Sequence, residues 1–483
     1  MYSLLFSILM DVLGIMFLLY SFSIILIYLS TTILSALEMR DHLRKNKFSD
    51  YGDIITSPFA PGISLIAPAY NESKSLVQNA KSLLSLHYGK FEVIIINDGS
   101  KDDSIQVMID NFDLVKTKYA YNPSIETKPV RAIYKSTNPS YSKLTFVDKE
   151  NGGKADALNV GINIACQEII ACIDVDCILS SDSLTRMMRP FMEETNRKVI
   201  AVGGVIGVAN NCEVKDGTVI KYRVPDSLLG RFQVIEYFRA FLMGRMAWTR
   251  LNGLMLISGA FGFFDRELVL KVGGYFPKTV GEDMELVVRM RRYMEEIKVP
   301  YKVGFIPDPL CWTEVPESEE ILSRQRNRWM RGTIETLQLH QKISFNPKYG
   351  VMGMVSYPFW SLFEKAAPIM ETLGVLYTLL LIISGDSSAI YLIVLFVVIY
   401  FFSIMISSFS ILFEQIAYNN YKDKKDLRKL LITVLLEPFV IHPKIVFWGL
   451  KGHWDFIRGK GGWGIMIRAG FNKATDKQKV SNT

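Results

Sequence analysis

Residues 12–36, VLGIMFLLYSFSIILIYLSTTILSA, contain no charged side chain. At about 1.5 Å per residue, a helix of that length crosses a hydrocarbon core of about 30 Å with some tilt. No other feature restricts the chain as much, because in lipid the backbone must satisfy its own polar groups and a helix does so within one segment. MRDHLRKNK follows at once with Arg40, Arg44, Lys45 and Lys47, and no Lys or Arg precedes the apolar run. The missing basic lead-in argues against a cleaved signal peptide. The charge asymmetry predicts an N-terminus outside and a cytoplasmic chain after Arg40. Two further stretches, 366–384 and 389–413, are joined by GDSS and followed by NYKDKKDLRK. The same rule predicts two more spans that return the chain to the cytoplasm.

Shorter apolar segments read differently. VMGMVSYPFWSLF (351–363) is too short to span and predicts an interfacial helix. The stretch 430–450 holds Glu437, Pro438, His442, Pro443 and Lys444, so a re-entrant or interfacial helix pair is expected there. The expected division is 1–49, a transmembrane helix with its basic flank; 50–345, a cytoplasmic domain; and 346–483, a membrane region ending in a basic cytoplasmic tail. The whole is expected in the cell membrane as a multi-pass protein.

A hydrophobic content of 49% is too high for disorder, and 21% charged residues is too many for a chain buried entirely in lipid. The net charge of +7 is concentrated at 40–47, 422–429 and 451–479, beside the apolar segments. Basic clusters in those places point to membrane lipid as a partner, and no nucleic-acid-binding module accompanies them. The five cysteines are odd in number and include no CxxC, so neither a disulfide framework nor a zinc site is indicated, and the five histidines form no cluster. Cys166, Cys172 and Cys177 lie around Asp174, the last two within the run ACIDVDCIL, and are expected to be buried thiols.

Between 50 and 345 the chain alternates short apolar runs with helical spacing. ISLIAPAYNE, FEVIIINDGS, VRAIYKS and EIIACIDVD read as strands and 74–86 as a helix, so an α/β domain with a mainly parallel sheet is expected. Ligands of such sheets bind at the carboxyl ends of the strands, where Asn71, Asp98 and Asp174 should stand.

The chemistry-bearing residues cluster at those ends. If 169–176 is extended, Asp174 and Asp176 share a face. Two like charges there suit a divalent cation that also binds phosphate, although a lone DxD fits two solvated carboxylates equally well. GGKADALNVGI (152–162) puts a glycine turn and Lys154 at a helix start, a setting for a diphosphate. GGVIG (203–207) lacks dinucleotide-fold spacing and reads as a tight turn between core strands. Glu282 and Asp283 open a helix, where acids also serve as plain caps. RQRNRWMRGT places Gln325, Arg328 and Trp329 on one helical turn; a basic membrane-proximal helix is the alternative reading.

Taken in order, APAYNE, NDGS, GGKADALN, DVD, SGAFGFF, GED and QRNRW resemble the signature of membrane-embedded family 2 glycosyltransferases, which include hyaluronan, cellulose, chitin-oligosaccharide and poly-N-acetylglucosamine synthases. The resemblance covers about 63–335 and implies a GT-A fold flanked by transmembrane helices, a UDP-sugar donor, a divalent metal (Mg²⁺ or Mn²⁺) and inversion at the anomeric carbon. It implies that Asp98 contacts the donor nucleoside with Tyr70, Asn71 and Glu72 nearby, and that Lys154 lies close to the diphosphate. Asp174 and Asp176 would hold the metal, with Asp174 also on the donor side. Asp283 would be the catalytic base. Gln325, Arg328 and Trp329, with Ser258 and Gly259 of SGAFGFF, would serve the acceptor and processivity. The GGKADALN match leans to N-acetylglucosamine. The chain departs from the pattern in about 30 extra residues between 115 and 148, and in a membrane part small for a polymer channel, which makes an accessory export subunit a candidate partner. Synthesis of a β-linked polysaccharide is the leading expectation. Transfer of one sugar to a lipid-linked or short acceptor, and a non-catalytic sugar-binding subunit, are the alternatives.

Overall fold

The computed structural model describes residues 2–48, 57, 59–215, 217–386 and 388–462. The basic tail beyond 462 lies outside them, as do 49–56, where the expected cytoplasmic domain begins.

The first apolar run and its basic flank form a single helix, Tyr2–Phe48. At 1.5 Å per residue it is about 70 Å long, more than twice a hydrocarbon core. Its C-terminal turns dock on the α/β domain. His42 Nε2 lies 2.6 Å from Asp308 Oδ2, and Arg250 Nη1 reaches Glu38 at 3.2 Å and Asp41 at 3.0 Å. The basic flank is thus helix continuous with the apolar run.

The domain is built on a ten-stranded sheet. Across it run Leu114–Lys116, Val130–Ser136, Leu144–Lys149, Phe91–Asp98, Ile63–Ala69, Ile169–Ile173, Phe261–Asp265, Lys198–Val208, Tyr301–Thr313 and Ile178–Leu179. Only Val130–Ser136, Phe261–Asp265 and Ile178–Leu179 run against the common direction. The sheet is therefore mainly parallel, as expected, although VRAIYKS is one of the reversed strands. The middle strands are apolar nearly throughout because helices cover both faces. The outermost strands are three and two residues long, which leaves little open edge.

Two sequence readings change. GGVIG is not a turn but the middle of the strand Lys198–Val208. Its glycines admit rings: a Cβ on Gly204 would meet Phe261 at 2.8 Å, and one on Gly207 would meet Trp312 at 2.4 Å. The extra residues between 115 and 148 extend the sheet with Val130–Ser136 and Leu144–Lys149, and their loop roofs the helix Lys154–Ile164. Asn163 donates to Ile125 O (2.8 Å) and accepts from Ile125 N (3.0 Å), while Lys128 N donates to Asp156 (3.0 Å). That helix is buried along almost its whole length.

After the domain, 351–365 is helical with π-helical turns at Met352–Ser356 and Trp360–Lys365. Among the described residues three helices are long and apolar enough to cross a membrane: the N-terminal one over Ile8–Asn46, Ala367–Ser384 and Ala389–Ala417. Lys424–Val440 and His442–Ile457 form a pair bent by 51°. His442–Ile457 packs on the helix Glu319–Leu339, where Asn327 Nδ2 donates to Asp455 at 2.9 Å.

Candidate active site

The strand Phe91–Asp98 delivers Asp98 to the carboxyl edge of the sheet, 4% exposed. Its Oδ1 accepts from Lys149 Nζ (2.7 Å) and Gly152 N (2.9 Å), and its Oδ2 from Gly153 N (2.8 Å) and Asn151 Nδ2 (3.2 Å). Four donors fill the lone pairs of a carboxylate. In this structure Asp98 therefore shapes the glycine turn, and its acceptor capacity toward a nucleoside is already taken. Gly153 has φ +86°, a conformation that favours glycine, and it starts the helix that carries Lys154. Lys149 is fully buried between Asp98 and Asp156, its Nζ 2.6 Å from Asp156 Oδ1. Nothing in the sequence pattern marks it.

The adjacent strand end carries the YNE turn. Asn71 N donates to Ser100 Oγ (2.9 Å), and Asn71 Oδ1 accepts from Lys101 N (2.8 Å), which ties this turn to the NDGS loop. Glu72 caps locally by accepting from Ser75 Oγ at 3.2 Å. Tyr70 is left exposed above them at 47%.

The Asp pair departs from the extended geometry expected of it. The strand stops at Ile173, and Cys177 N donates to Asp174 O at 3.0 Å, closing a turn. The reversed neighbour Phe261–Asp265 pairs only as far as Ile173, so the ladder that would keep 174–176 extended ends there. Asp176 is 7% exposed and Asp174 half-buried. Of the three thiols expected to be buried, Cys172 and Cys177 are, but Cys166 is exposed after the end of the helix Lys154–Ile164.

Four motifs then meet in a short relay. Lys154 forms an ion pair with Asp174. Its Nζ also donates to Gly259 O at 3.2 Å, and Gly259 N donates to Asp283 Oδ2 at 3.1 Å. Asp283 Oδ1 accepts from Met284 N at 2.8 Å. Burial works against the Lys154 charge, but Asp174 and then Glu282 outweigh it and hold the ammonium above its usual value. Glu282, 4% exposed, opens the helix Glu282–Glu296. Burial first, and repulsion from Asp283 second, push its carboxyl up to about 8.

The helix Glu319–Leu339 closes the other side. Gln325 and Arg328 are half-buried, and Trp329 is 40% exposed with the Arg326 guanidinium 4.4 Å from its ring centroid. Burial lowers the Arg328 pKa, and Glu282, Asp283 and Asp174 pull it the other way. The approach depends on two glycines that the motif reading passed over. A Cβ on Gly332 would lie 2.7 Å from Gly281 Cα, so the two backbones touch. Ser258 sits in the same loop as Gly259, where its carbonyl accepts from Phe261 N at 3.2 Å.

Among the described residues no three His, Cys, Asp or Glu side chains converge into a metal cage. Asp174 and Asp176 fit a hard divalent cation that completes its shell with substrate phosphate oxygens, not one held by protein alone.

Residues 64–123 match the model of glycosyl transferase family 2, and residues 169–405 that of glycosyl transferase family group 2. The chain belongs to the family 2 glycosyltransferases. A poly-β-1,6-N-acetyl-D-glucosamine synthase of Staphylococcus epidermidis is 30% identical over 277 residues, 57% of this chain and 55% of the relative. The synthase of that name from Staphylococcus aureus (strain COL) is 30% identical over 279 residues, with the same coverage of 57% and 55%. The chain thus spans about half the length of the curated relatives it matches. Among solved structures, a mannosyltransferase of Pyrobaculum calidifontis in complex with GDP-Man and Mn²⁺ aligns with 86% of this chain and 99% of its own, at TM-score 0.49 and 16% identity. Glucosyl-3-phosphoglycerate synthase of Mycobacterium tuberculosis, in complex with Mn²⁺, UDP-glucose and phosphoglyceric acid, aligns with 60% of this chain and 84% of its own, at TM-score 0.37 and 14% identity.

Proposed function

We propose that this glycosyltransferase inverts the anomeric carbon of a UDP-sugar, N-acetylglucosamine in the first instance, and adds the sugar to a growing β-linked polysaccharide at the membrane. The observation that carries the reading is the relay Asp174–Lys154–Gly259–Asp283. It links a diphosphate-binding end to a carboxylate positioned by two backbone N–H groups, the two ends that a sugar transfer needs.

Lys154 and Arg328 bind and orient the diphosphate. The turn held by Asp98 sets where the Lys154 helix begins, and Tyr70, Asn71 and Glu72 flank the nucleoside. Asp174 and Asp176 would hold Mg²⁺ or Mn²⁺, which when bound supplies charge stabilisation to the departing diphosphate. Asp283 takes the proton of the acceptor hydroxyl, since an alcohol that keeps its proton is a poor nucleophile. Trp329, with Gln325, Ser258 and Gly259 beside it, offers an aromatic face for the acceptor sugar. The catalytic domain lies in the cytoplasm with Ala367–Ser384 and Ala389–Ala417 in the membrane, in keeping with the basic residues after each inward-going span.

The test is to incubate the purified chain with a panel of UDP-sugars and Mg²⁺ or Mn²⁺, with and without EDTA, and to size the product. A long polymer made in the presence of metal supports the reading. A product one sugar longer than the acceptor would replace it with single transfer, and absence of turnover with every donor would replace it with a binding role.

A further inference from the structure

The helix Leu228–Tyr237 relaxes into a π-helical run, Phe238–Arg245, before it resumes as Met246–Arg250. Such wide turns are uncommon and gather at functional sites. This run is wedged between the strands Lys198–Val208 and Tyr301–Thr313 on one side and the helices Tyr2–Phe48 and Ala389–Ala417 on the other. It therefore lies between the sheet that carries the site and two helices fit to span a membrane.

Arg245 closes the run. Its guanidinium lies 4.1 Å from the ring centroid of Phe241 and 5.9 Å from that of Phe305. Its Nη1 is buried with no hydrogen-bond partner among the described residues. Other buried arginines also leave an Nε unmet, Arg326 and Arg291 among them, but their guanidinium ends are taken: Arg326 is paired with Glu236, Arg239 with Glu437, and Arg291 donates to Leu254 O at 2.6 Å. A buried donor left unmet is costly and calls for an explanation. Burial lowers the Arg245 pKa to about 10, with Asp283 the largest opposing influence and Tyr237 the next, so the group stays charged at neutral pH. The run that Arg245 closes thus faces the membrane helices, and Asp283 is the carboxylate whose charge acts on its guanidinium.

Because the Asp283 carboxylate already acts on Arg245, the missing partner need not be an anion. Neutral hydroxyl and amide oxygens suit the planar fork of N–H donors that a guanidinium presents, and the Phe241 ring lies against it. We propose that Arg245 contacts the acceptor glycan, donating to hydroxyl or acetamido oxygens of the acceptor sugar on the membrane side of Asp283. This inference rests on the sugar-transfer reading above and adds a residue to its acceptor side.

Calorimetry with the purified full chain tests it, using a β-1,6-linked tetrasaccharide of N-acetylglucosamine and, separately, UDP. In R245M the tetrasaccharide affinity should fall about tenfold, the scale of a lost hydrogen bond from a charged donor. UDP affinity should stay at the wild-type value, which also reports an intact fold. R245K, which keeps the charge but not the fork, should fall between the two. Tetrasaccharide affinity unchanged in R245M, a parallel loss of UDP affinity, or no tetrasaccharide binding by the wild-type chain would each overturn the contact. A wild-type chain that binds the tetrasaccharide through Arg245 yet transfers no sugar would uphold the contact and reject the transfer reading. Sugar transfer with no dependence of tetrasaccharide binding on Arg245 would do the reverse.

Discussion

Glu282 and Asp283 are adjacent carboxylates in unlike surroundings. Asp283 is aimed by the N–H groups of Gly259 and Met284. Glu282 is buried and repelled by Asp283, so its carboxyl titrates at about 8 and carries its proton at neutral pH. A base must be ionised to act, which counts against Glu282 in that role. The shift also bears on stability. The folded pKa lies above the ordinary glutamate value of 4.5, so between 4.5 and about 8 the folded state binds the proton more tightly than the unfolded one. Its contribution is full below the unfolded pKa and is lost as pH rises through the folded value. E282Q should therefore flatten the fall in thermal stability between roughly pH 5 and pH 8. Melting curves of detergent-solubilised protein check this; parallel pH profiles for the variant and the wild type would contradict it.

At the scale of elements, the site depends on how closely two helices approach. Gly281 precedes the helix of Asp283, Gly332 lies in the helix of Arg328, and a Cβ at 332 would press on Gly281 Cα and N at 2.7 and 2.9 Å. Backbone cannot yield as a flexible side chain can, so G332A should destabilise the chain by about 1–3 kcal/mol, the usual cost of overpacking. It should also reduce turnover by moving Arg328 away from Glu282 and Asp283. A melting temperature and turnover both at wild-type values would show that the contact is dispensable. The sequence displayed the strands that lead up to Asn71, Asp98 and Asp174 because apolar runs stopped by polar turns are local signals. It did not display the turn at Asp174–Cys177, which depends on where a distant strand stops pairing. Nor did it display the strand role of GGVIG, set by the rings of Phe261 and Trp312. Lys149, Gly332 and Arg245 were hidden for the same reason: each owes its meaning to a neighbour far away in sequence. The loop ahead of the 130–149 strands was legible only as extra length, since the helix face it covers looks like any buried helix.

On the scale of the whole molecule, the N-terminal helix runs unbroken from its apolar stretch to the α/β domain, and Arg250, Asp308 and His42 fix its end there. The domain is thus held at a set height beside the candidate spans. Lys/Arg asymmetry predicts that an impermeant thiol reagent applied to intact cells labels a cysteine placed at Ser388 and spares one at Lys422; the opposite pattern would invert the topology. The central claim is that one chain carries a sugar-transfer site whose base is Asp283. The most direct measurement compares the purified wild-type chain with D283N for release of UDP from UDP-N-acetylglucosamine during polymer synthesis, alongside UDP affinity. Asparagine keeps the shape and removes the base, so turnover should drop by about 10²–10⁴ while UDP binds as before. A variant that retains more than about a tenth of normal turnover, against that expected range, would contradict the account and move the search for the base to Glu282.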